Sequence, residues 1–187
     1  QKSDLFAVLE TGKVIKGETN IDIPKHNPRL KIKRVYLKPR VSANKKALRA
    51  IKKADLIVMG PGDLYTSIVP NLLVGGISSV LRKSKAKKIY ICSLMTKLGE
   101  TNNFSILDFT REIERYLACS LDCVIYNTKK PLAKRLAEYK KERPELLSLV
   151  KFDNNPDKKK FTGTNLLLDK GHLVHNPDKI AKIILSM

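Results

Sequence analysis

Apolar and polar positions change their period several times along this chain. Leu5-Phe6-Ala7-Val8-Leu9 and Val14-Ile15-Lys16-Gly17 are β-prone runs on either side of Glu10-Thr11-Gly12-Lys13. The glycine suits the positive φ of a tight turn, so the pattern predicts an opening hairpin. A stretch punctuated by Pro24 and Pro28 leads to a third β-prone run, Leu30 to Leu37. From Ala43 to Lys53 the period becomes helical, with Ala47, Leu48 and Ile51 on one face.

A strand-then-helix unit then recurs. Leu56-Ile57-Val58-Met59 is a continuous apolar run that ends in Gly60-Pro61-Gly62, the pattern of a strand buried on both faces of a parallel sheet. A helix is predicted from about Pro70 to Arg82, with Leu72, Leu73, Ile77, Val80 and Leu81 on its apolar side. Lys88 to Cys92 reads as a strand, and Ser105-Ile106-Leu107-Asp108 as a capping-box start for a helix through Leu117. Cys123 to Tyr126 is a further strand, followed by a helix from Pro131 to about Lys141. Asn176-Pro177-Asp178 begins a last helix bearing Ile180, Ile183 and Ile184. Strands separated by helices imply parallel pairing through right-handed crossovers. The expected fold is therefore α/β, a three-layer α/β/α architecture around an open, mostly parallel sheet. One domain is expected over residues 1–187, with a hairpin and strand region at 1–40 and repeated strand-helix units at 41–187. No internal repeat is evident.

Composition narrows the function classes. A hydrophobic content of 42% supports a packed core, and 9 Gly and 9 Pro are too few for a low-complexity chain. No apolar run approaches the roughly 18 to 20 residues of a bilayer span, and the first residues lack a signal peptide's apolar core, so no membrane span and a cytoplasmic location are expected. Cys92, Cys119 and Cys123 lack metal or redox spacing and read as buried thiols. A net charge of +19 attracts anions of any kind. The lysines are scattered, however, and the clusters at Lys83–Lys88 and Lys158–Lys160 have no interleaved aromatics, which argues against a single-strand nucleic-acid surface.

Ligands of open α/β sheets settle beyond the carboxyl ends of the strands, and three loops here hold that position. Gly60 to Ser67 offers close backbone approach and the hydroxyls of Tyr65, Thr66 and Ser67. Ser93 to Thr101 adds hydroxyls, Lys97 and Glu100. Asn127-Thr128-Lys129-Lys130-Pro131 adds an amide and two cations. Neither a Walker loop nor a dinucleotide fingerprint is present. Thr66 and Ser67 also suit helix capping. His172 and His175 have no carboxylate at a recognisable spacing and read as structural.

These residues resemble a known family. The run from Ala54 through Gly60-Pro61-Gly62-Asp63-Leu64-Tyr65-Thr66-Ser67-Ile68-Val69-Pro70-Asn71 to Val74 is similar to the signature of the YvcK-type gluconeogenesis factors, relatives of the CofD phospholactate transferases. Met95-Thr96 with Gly99-Glu100-Thr101 resembles the family's second motif. Glu18 to Ile21 resembles its N-terminal hairpin, and His175 to Lys179 the approach to its last helix. The resemblance implies a CofD-like, Rossmann-like fold of which this chain is the C-terminal part, since the family's opening Gly-Gly-Gly-Thr-Gly-like loop and Asp-rich segment do not occur.

The ligand residues it implies are Gly60, Pro61, Gly62, Asp63, Leu64, Tyr65, Thr66, Ser67, Asn71, Met95, Thr96, Glu100, Thr101, Asn127 and Tyr139, with no metal ligand and no assigned catalytic residue. Tyr139 resembles a ligand-contacting tyrosine of the regulatory members, whereas Val174 stands in place of a basic residue that contacts nucleotide-sugar there. Asp63 stands where serine is common, and a carboxylate repels phosphate unless a metal or lysine intervenes. Ser93, Lys97, Leu98 and Phe109 also depart from the pattern. The expected function is a non-catalytic nucleotide- or nucleotide-sugar-binding regulator of carbon metabolism and cell shape, in which Lys97, Lys129 or Lys130 neutralises phosphate. The alternative is a phospholactate transferase of deazaflavin coenzyme synthesis, which alone brings a Mg²⁺ requirement. A homo-oligomer is expected, and nucleic-acid binding is the remaining alternative.

Overall fold

The hairpin begins the chain as expected, and the computed structural model describes residues 2–152 and 157–187. Strands β1 (Asp4–Leu9), β2 (Val14–Lys16) and β3 (Ile32–Lys38) form an antiparallel sheet in the order β2-β1-β3. Gly12 makes the turn at φ 86°, and the Leu9 amide donates to the Lys13 carbonyl at 2.9 Å. Between β2 and β3, a helical turn α1 (Glu18–Asp22) buries Ile21 and carries Asp22. The polar-rich sequence there gives little sign of a helix.

Helix α2 (Lys45–Lys53) is capped by the Asn44 side chain, which accepts from the Lys46 amide at 2.8 Å. The second sheet is parallel throughout. Its strands are β4 (Leu56–Met59), β5 (Lys87–Ile91), β7 (Cys123–Asn127) and β9 (Phe161–Thr164), in the order β4-β5-β7-β9. Side chains alternate across this sheet, and the two faces find different covers. Tyr90, Cys92 and Val124 face the larger core with helices α3 (Val69–Leu73), α4 (Ile77–Lys83) and α5 (Ile106–Leu117). Ile89, Ile91, Cys123 and Ile125 face Leu166 and the apolar side of α7 (Pro177–Leu185). The three-layer α/β/α arrangement expected from the sequence is thus present. A short antiparallel pair, β6 (Met95–Lys97) with β8 (Leu146–Leu149), and helix α6 (Ala133–Glu142) lie beyond the carboxyl ends of β5 and β7.

Several local expectations are met in atomic detail. The Asp108 amide donates to Ser105 Oγ at 3.2 Å and the Ser105 amide to Asp108 Oδ2 at 2.9 Å, which completes the capping box of α5. Pro177 opens α7, and Asn176 Oδ1 accepts from the Lys179 amide at 3.1 Å. All three cysteines are free thiols; Cys92 and Cys123 are buried and Cys119 half-buried. Among the described residues no helix is long and apolar enough to cross a membrane.

Two expectations are corrected. The helix placed from Pro70 to Arg82 is broken into α3 and α4, preceded by a π-helical turn at Leu64–Ile68. At the break the Gly75 amide donates to Val41 O at 2.8 Å and Gly75 O accepts from the Ala43 amide at 2.9 Å, a tertiary pairing that outcompetes helix continuation. The apolar strand Leu56–Met59 is not buried on both faces. Among the described residues β4 pairs only with β5, and Val58 is 41% exposed. The continuous apolar pattern reports facing contacts, whereas the number of neighbouring strands is a property of topology.

Candidate functional site

The loop after β4 is shaped by crowding. Gly60 adopts φ 81°, and a Cβ there would lie 2.8 Å from the Ile91 carbonyl oxygen. This close approach sets Pro61-Gly62-Asp63 against the loop after β5, where Ser93 Oγ donates to Gly62 O at 3.1 Å. Together they wall a cleft of about 400 Å³ at the sheet's carboxyl rim. The opposite wall comes from Tyr139 on α6, Arg143 just beyond it, and the segment Leu173-Val174-His175. Leu94, Met95 and Leu146 add apolar surface, so the cleft combines an apolar body with a few converging polar groups, as small-molecule sites do.

Behind Asp63 lies a cluster that no spacing in the sequence announces. The Lys97 ammonium, its side chain 6% exposed, hydrogen-bonds Asp22 and lies 2.7 Å from Asp63 Oδ2 and 3.4 Å from Glu100 Oε1. Burial opposes the charge on Lys97, but the hydrogen bonds to Asp22 and Asp63 and the charge of Glu100 outweigh it and hold the ammonium protonated. The three carboxylates lie within 4.8 Å of one another, a group of the kind that holds a divalent cation, and the ammonium stands among them. The Asp63 charge, expected to repel phosphate, is therefore already answered by a lysine.

Glu100 is 3% exposed and acts as a fastener for the first loop. It accepts from the Tyr65 amide at 3.1 Å and from Thr66 Oγ at 3.2 Å. Burial pushes its carboxyl up, Lys97 pulls it down and Asp63 raises it again, for a value of about 7 against the usual 4.5. Folding therefore takes up a proton at Glu100. Its contribution to stability is complete below about pH 4.5 and is lost as pH rises through about 7. Glu100→Gln, which keeps an acceptor oxygen, is expected to flatten this slope. Urea unfolding at pH 5 and pH 8 should show the wild type losing about 2 kcal/mol more than the variant over that window. Equal slopes would show that Glu100 ionises normally.

The structure distributes the expected site residues over distinct places. Pro61, Gly62, Asp63, Met95 and Tyr139 line the cleft, and Gly60 sets its wall. Leu64 and Tyr65 point into the core, each 1% exposed, and Tyr65 Oη donates to Glu112 at 2.8 Å. Thr66 and Glu100 bond to each other, Thr101 Oγ accepts from the Lys97 amide at 2.9 Å, and the Thr96 and Ser148 hydroxyls are 3.0 Å apart. Ser67 and Asn71 lie on the exposed side of the turn, joined by Asn71 Nδ2 donating to Ser67 O at 2.7 Å. The amides of Tyr65, Ser67 and Ile68 are satisfied within the protein, the last two by Asp63 O at 3.0 Å. Asn127 belongs to a different cleft of about 390 Å³, with Lys129, Lys130, Lys151 and the rings of Tyr126 and Phe152.

Two ionisable cleft residues lie outside the ligand set that the sequence implies. Arg143 follows α6 inside a run of charged residues, where nothing marks one cation from another. His175, for which the sequence predicts a structural role, lines the cleft; its Nε2 lies 3.1 Å from Cys92 O, and burial lowers its pKa and keeps the ring neutral. The motif similarity around Asn176-Pro177 was the one available signal for it.

The sequence model of the 2-phospho-L-lactate transferase CofD family matches residues 1–167. A putative gluconeogenesis factor of Thermotoga maritima is 45% identical over 145 residues, covering 78% of this chain and 45% of the relative. The gluconeogenesis factor of Bacillus subtilis is 32% identical, covering 98% of this chain and 57% of the relative. A UPF0052-family crystal structure from Bacillus halodurans superposes with a TM-score of 0.86 at 33% identity, covering 99% of this chain and 59% of that one. The chain spans about half the length of the curated relatives it matches.

Proposed function

Since this chain belongs to the CofD family and its curated relatives are gluconeogenesis factors, we propose that it is a binding module for a nucleotide or nucleotide-sugar, acting in the regulation of carbon metabolism and of cell shape. The observation that carries the reading is the rim cleft, where the loops after β4 and β5 meet Tyr139 and the His175 segment at the place where open α/β sheets take ligands. Its volume suits a nucleoside or sugar group against Met95, Leu146 and Leu173, with hydroxyl partners at Ser93 and Tyr139. A binding role is favoured over group transfer by Lys97. The transferase alternative needs Mg²⁺ at a diphosphate, and the place among the carboxylates near the cleft that such an ion would take is filled by the Lys97 ammonium.

Calorimetric titration of the chain with UDP-glucose, UDP and guanosine diphosphate, each with and without Mg²⁺, tests this function. Saturable binding of a uridine compound independent of Mg²⁺ is expected, and Val174→Trp, at an exposed cleft position, should abolish it by filling the space. Binding of guanosine diphosphate alone, and only with Mg²⁺, would establish the transferase reading instead. Binding untouched by Val174→Trp would place the ligand elsewhere.

A further inference from the structure

We propose that Arg143 is the anion anchor of the rim cleft, the side chain whose guanidinium selects a ligand bearing a phosphate or carboxylate over its uncharged counterpart. The inference rests on the rim cleft being the ligand site. It arises from asking which cation in that cleft is free to act. Among the described residues that line it, Arg143 is the only lysine or arginine. Lys97 is buried behind Asp63 and surrounded by three carboxylates. Lys129 and Lys130 line the separate cleft around Asn127. His175 is neutral because burial lowers its pKa.

Arg143 is also held for the task. Its amide donates to Tyr139 O at 2.9 Å, and its carbonyl accepts from the Leu146 amide at 3.0 Å, which fixes the backbone between α6 and β8. On the side chain, Nε donates to Glu145 Oε1, an ion pair that offsets part of the guanidinium charge at a half-exposed site where water screens it. The side chain is 52% exposed, and this hydrogen bond uses only Nε, so the fork of terminal nitrogens keeps its donors for a ligand. An arginine fixed through Nε loses less side-chain freedom on binding, and its planar fork matches phosphate or carboxylate in bidentate fashion. Asp63, on the facing wall, does not defeat this arrangement because Lys97 lies 2.7 Å from it. An anion entering the cleft meets a carboxylate paired with an ammonium on one side and, on the other, a guanidinium whose terminal nitrogens make no hydrogen bond among the described residues. Guanidinium is charged at every accessible pH, so the anchor's own charge is constant.

The test compares UDP and uridine on wild type, Arg143→Gln and Arg143→Lys by calorimetry. Arg143→Gln is expected to weaken UDP by about 10- to 100-fold, the range for loss of a charge-assisted bidentate contact, and to leave uridine within about two-fold. Arg143→Lys, which keeps the charge and loses the fork, should fall between. Loss of UDP and uridine affinity together in Arg143→Gln would overturn the assignment in favour of a structural role. Unchanged UDP affinity in Arg143→Gln, alongside wild-type binding that Val174→Trp abolishes, would overturn it while leaving the cleft as the ligand site. Absence of any uridine-compound binding by the wild type would remove the binding function and this inference with it.

Discussion

Replacement of Lys97 by methionine is expected to cost about 3–5 kcal/mol, the range for removing one partner of a buried ion pair. Methionine fills similar space but leaves Asp22, Asp63 and the buried Glu100 carboxylate facing one another within 4.8 Å. For a domain of this size each kcal/mol corresponds to about 2–4 °C, so the midpoint of thermal unfolding should fall by roughly 10 °C. The cost arises from uncompensated negative charge, and two further measurements isolate it. It should shrink at pH 5, where Glu100 with its raised pKa of about 7 is protonated. The double variant Lys97→Met/Glu100→Gln should be more stable than Lys97→Met alone, which is positive coupling between contacting residues. A single-variant cost below about 1 kcal/mol would mean that the carboxylates relax into water and that Lys97 does not hold the loops together. The same cluster ties α1 to the loops after β4 and β6, since Asp22, Asp63 and Glu100 come from those three segments. A destabilised Lys97 variant should accordingly also lose ligand affinity at the rim cleft.

Gly60→Ala is the second large effect, expected at roughly 2–4 kcal/mol with a loss of cleft binding. About 1–2 kcal/mol comes from placing a Cβ-bearing residue in the left-handed region, where Gly60 sits at φ 81°. About 1–3 kcal/mol more comes from forced displacement, because the new methyl would lie 2.8 Å from the Ile91 carbonyl oxygen, a main-chain atom of β5 that cannot swing aside. Gly12→Ala provides the control. Its φ of 86° is similar, yet a Cβ there meets nothing within 4 Å, so only the conformational part should appear in denaturant unfolding. Equal costs at the two positions would show that the first loop moves freely away from β5. Displacement of that loop would carry Pro61 and Gly62 with it, and with them one wall of the cleft.

Much of the fold was legible because it rests on local or periodic chemistry. The turn at Gly12, the Ser105/Asp108 capping box and the Asn176-Pro177 helix start need only neighbouring residues, and each forms as the residue types dictate. The facing of β5 and β7 follows from alternation, and so does the three-layer order. Less was legible where one contact decides between alternatives. Gly75 breaks a helix-compatible stretch because Val41 and Ala43 come to pair with it. Leu146–Leu149 becomes a strand only because Met95 and Lys97 supply the partner edge.

For the candidate site, the chain by itself determined the two motifs that carry the family signature and the loops that end the parallel strands, since apolar strand runs followed by Gly-Pro-Gly or polar loops are readable as text. Only the tertiary structure decided what those residues do. It turned Leu64 and Tyr65 inward, engaged Thr66 with Glu100, moved Asn127 to another cleft, and gathered Asp22, Asp63 and Glu100 around the Lys97 ammonium. Charge carries no address in a sequence with 37 lysines and arginines. Burial and distance select which cation is spent, as Lys97 is, and which is left facing a ligand, as Arg143 is, because electrostatic energy depends on separation in space and on exclusion of water rather than on position along the chain.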